Sequence, residues 1–438
     1  MTDTASAPDS QIAGPAFVRL VLLGAVVGIP AAAVAAVFLG LVHELQHWLW
    51  TDLPEELGES GPPWYLVLGL PVVGAAIVLA ARTLLPGDGG HEPLDGLSPD
   101  PKPLSHAPGV ALAALGTLGF GMVLGPEAPV VALGSIIALA VSSFARLAAT
   151  ESRLLATAGS FAAISALFGG PLVGGVMMTE SALALGTRLV PALLPGFVAA
   201  AVGYTIFVGF GNWGGLDTPG LAVPDLELYD GTRVVDLLIA VAVGVATALV
   251  VAGVHHFTTD VASERAQRVG LTASLLGGGL LVGAIALLAD ALGTDSQYVL
   301  FSGQASIAPL VAETSTGVVL LLLAAKGLAY AVSLVAGFRG GPIFPAIFLG
   351  IGVATLPVVW FDLSPTFAIA IGAAAGMAAH AQLVLTAMLF AALLVGSPGF
   401  DTVPGAVLAA VAAWITARAL HERRVTPAAG QAAAGTAP

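Results

Sequence analysis

Glu127 is the residue whose surroundings most clearly suggest chemistry. It lies in Gly125-Pro126-Glu127-Ala128-Pro129-Val130-Val131-Ala132-Leu133-Gly134, between long apolar runs. Gly-Pro ahead of an apolar run starts a helix, because the glycine breaks the preceding backbone and the proline suits the first helical position. A helix start presents unpaired N–H groups and about half a positive charge. That is the chemistry of an anion site. A carboxylate placed there is itself an anion. Deprotonated, it would plug the anion position; protonated, it would be neutral and able to swing away. Proton binding would then be coupled to anion passage. The alternative is a plain capping carboxylate in a first turn.

The pattern recurs 216 residues later as Gly341-Pro342-Ile343-Phe344-Pro345-Ala346-Ile347-Phe348-Leu349-Gly350. Both glycines, both prolines and the leucine match. Each segment interrupts an apolar stretch at a corresponding place in its half of the chain. Paired interruptions of this kind point to an inverted-repeat transporter and to its substrate site. Two helix starts facing each other at the bilayer midplane would bind an anion through partial charges, weakly enough to release it. No Lys or Arg is placed deep in the apolar runs beside them, apart from Arg339 just before the second start. Arg339 either attracts anions at a pathway mouth or snorkels to an interface.

The other polar residues give weaker signals. His91, Glu92 and Asp95 read as a polar loop rather than a metal site, which needs more ligands in defined geometry. His43 and His47 sit near the outer end of the first helix and read as interfacial packing. His255 and His256 fall in a solvated loop ahead of Arg265 and Arg268. His380, beside Gln382, is either a satisfied buried polar residue or part of a proton path. Ser135, Ser160 and Ser165 raise a remote alternative, an intramembrane serine protease. No Gly-x-Ser-x-Gly signature supports it.

Composition sets the class. The chain has 438 residues, 57% hydrophobic and 9% charged, with net charge −13 and no cysteine. A soluble domain carries about 25% charged residues, so this is a polytopic membrane protein. The acidic balance excludes a nucleic-acid partner. The lack of cysteine excludes disulfides and thiolate metal sites. No Gly-x-x-x-x-Gly-Lys-Ser/Thr occurs, and the expectation is a transporter without a cofactor, not an enzyme. Met1 to Gln11 do not read as a cleaved signal peptide.

About a dozen apolar runs are candidate membrane helices, among them 17–46, 64–85, 130–149, 154–180, 343–361, 366–395 and 403–420. Several carry internal Gly and Pro, as at Gly169-Gly170-Pro171. The loops around 50–64 and 214–229 are acidic and lack Lys and Arg, whereas Arg82, Lys102, Arg146, Arg153, Arg265, Arg268, Arg418, Arg423 and Arg424 cluster elsewhere. The positive-inside rule places those basic groups and both termini in the cytoplasm of a plasma-membrane protein. The expected organisation is a disordered tail (1–16), a first membrane repeat (17–215), an extracellular linker (216–234), an inverted repeat (235–424) and a second disordered tail (425–438).

These motifs resemble the CLC family of chloride channels and chloride/proton exchangers. The family's Gly-Arg/Lys-Glu-Gly-Pro motif, which carries a gating glutamate, corresponds to Gly125–Pro129, with Pro126 in place of the basic residue. Its Gly-x-Phe-x-Pro motif corresponds to Gly341–Pro345, and its Gly-Ser-Gly-Ile-Pro segment falls in the loop Gly87–Gly96, with Gly89 in place of the serine. The resemblance implies an all-α CLC-like inverted repeat whose broken helices meet at the membrane midplane. It implies a homodimer in lipid, moving chloride or a similar anion and exchanging protons, with one pathway per subunit. Glu127 is then the gate and proton carrier. Backbone amides at Gly89, Gly90, Ile343 and Phe344 hold the anion, and Phe400 stands nearest to the family's central tyrosine. Ser181 replaces the internal glutamate, with Glu180 beside it as a possible proton-path residue. A fluoride/proton antiporter and a passive anion channel are the alternatives within the family.

Overall fold

The computed structural model describes residues 14–95, 102–183, 189–213, 222–265 and 268–434. Among the described residues the structure is helical, with one isolated bridge and no strand. The first half holds α1 (Pro15–His47), α2 (Leu53–Glu56), α3 (Trp64–Leu84), α4 (Ala107–Leu118), α5 (Glu127–Phe144), α6 (Ala149–Leu167), α7 (Pro171–Ser181) and α8 (Leu189–Trp213). The second holds α9 (Val234–Arg265), α10 (Leu271–Ala291), α11 (Ser296–Val299), α12 (Ile307–Val311), α13 (Thr316–Val335), α14 (Ile343–Phe361), α15 (Pro365–Ala381), α16 (Val384–Val395) and α17 (Val403–Ala434). Eight helical stretches among the described residues are long and apolar enough to cross a bilayer. The protein is an all-α, multi-span membrane protein.

The spacing seen in the sequence survives in three dimensions. Helices α5 and α14 start 216 residues apart, and so do α6 and α15. Within each half, the two helices pack through glycine. A side chain at Gly134 would strike the Gly159 carbonyl across the α5–α6 contact, and one at Gly350 would strike the Gly372 carbonyl across α14–α15. Gly134 and Gly350 are equivalent positions of the repeated decapeptide. Small residues let membrane helices approach closely, where packing rather than water drives association.

Two of the apolar runs each divide into two helices. The run 154–180 divides into α6 and α7, because Gly169 and Gly170 take φ of 75° and 152° and Pro171 starts a new helix. The run 366–395 divides into α15 and α16, because Gln382 turns left-handed at φ 58°. At the far end, α17 continues to Ala434, across most of the segment expected to be a tail. Its alanines are strong helix formers. Residues 1–13, 435–438 and 214–221, the first part of the acidic segment 214–229, lie outside the described residues. The rest of the linker is tied down: Val223 N–H donates to Leu394 O and Tyr229 N–H to Pro398 O, both at 3.0 Å. His255 is not in a loop. It lies on α9, with Nε2 2.9 Å from Nδ1 of His380 on α15.

Candidate functional site: a carboxylate seated between two helix starts

The starts of α5 and α14 meet. Gly125 N–H donates to Gly341 O at 2.6 Å, and Gly341 N–H returns a bond to Gly125 O at 2.5 Å. Pro126 and Pro342 then occupy the N-cap positions of the two helices. The side chain of Glu127, fully buried, crosses from the first start to the second. Its Oε1 accepts from Ile343 N–H at 2.6 Å and Phe344 N–H at 3.0 Å. Its Oε2 is buried without a hydrogen-bond partner. A Cβ on Gly125 or Gly341 would collide with this carboxylate, so the two glycines form the slot in which it lies. The amides expected to bind an anion therefore hold a tethered one.

Aromatic side chains close around the seat. Phe344 stacks on Phe168 at 5.4 Å between ring centroids, and Phe390 meets both rings edge-on. Phe168 stands at the end of α6, just before the Gly169-Gly170-Pro171 break that turns the chain there. Tyr330, fully buried on α13, donates its hydroxyl to Pro342 O at 2.9 Å and so steadies the start of α14. Sequence reading assigned no role to Phe168, Phe390 or Tyr330. The clues were a lone tyrosine in an apolar run and a phenylalanine abutting a Gly-Gly-Pro break.

Sequence reading also missed Lys326, which lies fully buried in the middle of α13. Its Nζ donates to Leu300 O at 2.6 Å and Tyr298 O at 3.1 Å, and sits 4.7 Å from the Phe348 ring centroid. A buried ammonium must find such acceptors.

The loop preceding the short 3-10 helix Pro93–Asp95 approaches the same region from another side. Gly89, Gly90, Ala128, Pro129 and Arg339 line one cleft beside the first turn of α5. Gly90 does not supply the expected amide, because its N–H donates to Gly87 O at 3.0 Å within a turn. Asp88 binds two arginines. Arg82 Nε and Nη2 reach its carboxylate at 2.8 and 3.0 Å, Arg339 Nη2 bonds the same carboxylate, and Arg339 Nε reaches Asp88 O at 3.0 Å. Partial burial pushes the Asp88 carboxyl up, but the two guanidinium groups outweigh it and hold it below the usual range.

Two expected site residues are elsewhere. Phe400 is 79% exposed on the turn between α16 and α17. The neighbouring Gly399 packs on Thr366 at the start of α15. That is the far end of α14, about 27 Å from Ile343 at 1.5 Å per residue over 19 residues. Phe400 cannot contact an anion at Glu127. Glu180 caps α16: Oε1 accepts from Val384 and Leu385 N–H at 2.7 and 3.0 Å, and Oε2 from Thr386 N–H and Oγ1 at 3.0 and 2.8 Å. Four donors make it an anchor between α7 and α16 rather than a side chain free to move protons.

Known proteins share this architecture. The family model for the voltage gated chloride channel matches residues 92–418. The inferred ion-transport protein YfeO of Escherichia coli (strain SMS-3-5 / SECEC) is 29% identical over 351 residues, covering 75% of this chain and 77% of its own. Its counterpart in Salmonella schwarzengrund (strain CVM19633) is 28% identical over 342 residues, covering 74% and 77%. A slow cyanobacterial Cl-/H+ antiporter superposes with TM-score 0.74 at 18% identity, covering 92% of this chain and 95% of its own. A CLC-type fluoride/proton antiporter superposes with TM-score 0.72 at 21% identity, covering 91% and 95%. The paired helix starts thus sit in a fold already associated with ion movement, and this chain belongs to the voltage gated chloride channel family of membrane anion-transport proteins.

Proposed function

We propose that the chain moves chloride, or a similar small monovalent anion, along a pathway that Glu127 gates and couples to protons. One observation carries this reading: the Glu127 carboxylate occupies the Ile343 and Phe344 amides, the donors an anion in transit would use. Protonation removes the charge that holds the carboxyl on those donors. The side chain leaves and an anion takes its place. The donors are backbone groups with partial charge, so the anion is bound and then released. The two halves act as an inverted repeat about the Gly125–Gly341 contact, with both termini cytoplasmic and two copies of the chain forming a homodimer in the plasma membrane. Fluoride is the second reading: one of the fold's solved representatives is a fluoride/proton antiporter, and Gly89 offers no hydroxyl at the family's serine position.

The test is anion efflux from liposomes containing the purified protein, with pH recorded on both sides. Uphill proton movement driven by a chloride gradient supports coupled exchange. Chloride efflux without proton movement makes the protein a passive conductor and overturns the coupling. Fluoride movement without chloride movement selects the second reading.

A further inference from the structure

A proton exchanged at Glu127 needs a route to the opposite membrane face. Glu180 does not carry it, since four donors hold that carboxylate at the start of α16. Two histidines outside the site already described stand side by side. His255 on α9 and His380 on α15 share one hydrogen bond, with Nε2 of the first 2.9 Å from Nδ1 of the second. Their rings meet edge to face at 82°, with centroids 4.8 Å apart. Both residues are half-buried. In such a bond one ring donates and the other accepts, so the pair is set to hand a proton from ring to ring. Among the described residues no third ligand completes a metal set around them.

Helix packing fixes the height of the pair. A Cβ on Gly372 would strike Ile351, and one on Gly376 would strike Ile347 and the Ala346 carbonyl. Each turn forward on α15 is thus a turn back on α14. One more turn brings His380 level with Pro342 and Ile343, where α14 starts and the Ile343 amide holds the Glu127 carboxylate. His255 leads away from that level. No titratable residue lies between Asp236 and His255 on α9, whereas Asp260, Glu264 and Arg265 follow at its end.

The elements packed on the pair bring few charges. Helices α12, α14 and α16 carry no charged side chain. On α13, Lys326 is bound to the Leu300 and Tyr298 carbonyls and Tyr330 to the Pro342 carbonyl. Charges on α17 begin at Arg418, which pairs with Glu422 at 3.1 Å. His421 lies beside that pair and His256 beside His255, while Asp401 stands on the turn before α17.

We propose that His255 and His380 form a two-ring relay that carries the coupled proton between the charged end of α9 and the seat of Glu127. This rests on the proton-coupled reading and deepens it by naming the other half of the route. A proton taken up on Nδ1 of His255 makes an imidazolium. Its Nε2 proton passes to Nδ1 of His380, and His380 gives up the proton on its own Nε2 toward Glu127. Both rings end neutral, each as its other tautomer, with the bond between them reversed. Turning of the rings restores the pair before the next proton travels the same way. The axes of closely packed helices stand about 8 Å apart, so water bridges His380 to the carboxyl once it leaves the amides.

The experiment records chloride efflux and proton movement together, in liposomes holding the full-length protein. His380→Asn sets an amide where Nδ1 stands, and His255→Gln sets one where Nε2 stands. Each keeps a hydrogen bond across the pair and cannot pass a proton along it. In either variant the protons moved per chloride should fall by at least about tenfold, the scale of a positioned proton carrier, while chloride efflux continues. The substitutions lie on different helices, so one variant decides the matter if the other does not fold. An unchanged ratio overturns the relay. So does a parallel loss of both fluxes, which marks the pair as a structural contact. If the ratio is unchanged while Glu127→Gln abolishes proton movement, the coupled reading stands and the relay falls. Chloride efflux without proton movement in the unaltered protein removes both.

Discussion

Gly125 and Gly341 occupy equivalent positions in the two halves of the chain and hydrogen-bond to each other, at 2.6 and 2.5 Å. The same 216-residue spacing links Glu127 to Ile343, the residue whose amide holds its carboxylate. Equivalent residues thus meet at the centre, and the carboxylate's seat forms where the two copies of one motif differ. The first copy supplies a carboxylate where the second supplies an apolar side chain and the two amides that receive it.

A methyl group at Gly341 would lie where the Glu127 carboxylate lies. Gly341→Ala should therefore unseat the gate and disturb the paired backbones. The expected outcome is a thermal stability lower by about 1–3 kcal/mol and transport that responds less to pH. Melting curves and liposome flux measure the two effects separately.

Tyr330→Phe keeps the ring and deletes the donor to Pro342 O. A buried carbonyl that loses its partner costs about 1–3 kcal/mol. The variant should melt earlier, and anion flux should change with it, because Pro342 precedes the two amides of the seat. Unaltered flux would separate Tyr330 from the site.

Glu180→Ala should destabilise the protein by about 1–2 kcal/mol through loss of the α16 cap, while the ratio of protons to anions moved stays the same. A changed ratio would return Glu180 to the proton route. Phe400→Ala should leave anion selectivity unchanged, since that side chain is exposed at the far end of α14.

Asp88 has its carboxyl held below the ordinary aspartate value of 3.8 by Arg82 and Arg339, against the effect of burial. A lowered value in the folded state stabilises above the unfolded value, and the stabilisation is lost as pH falls through the folded one. Asp88→Asn should therefore melt earlier than the unaltered protein at pH near 7. The difference should shrink under acid. Melting temperatures across a pH series check this.

Much of the centre was legible because a Gly-Pro pair that interrupts an apolar run marks a helix start inside the membrane. Glu127, Ile343 and Phe344 could be placed together from one repeated decapeptide. Helix ends without Gly-Pro were harder. The left-handed turn at Gln382 separates α15 from α16 inside a run that looks continuous. Phe400 was misplaced because an aromatic beside a helix start looks the same at either end of the bundle. Its height follows only from how α14, α15 and α16 double back. Glu180 needed the start of α16 beside it, 204 residues away, before its capping role was visible. Lys326 was visible as a type but not as a problem solved, because its acceptors are backbone carbonyls at the end of α11, 26 and 28 residues earlier in the chain.

The central claim is that the Glu127 carboxylate competes with the anion for the Ile343 and Phe344 amides. Anion flux through Glu127→Gln, measured in liposomes across a pH series beside the unaltered protein, tests it most directly. The unaltered protein should conduct faster as the medium is acidified, because protonation empties the seat. Glu127→Gln, a permanent mimic of the protonated form, should conduct at neutral pH at a rate independent of pH and move no protons. A Glu127→Gln protein that keeps the pH dependence of the unaltered one would contradict the account.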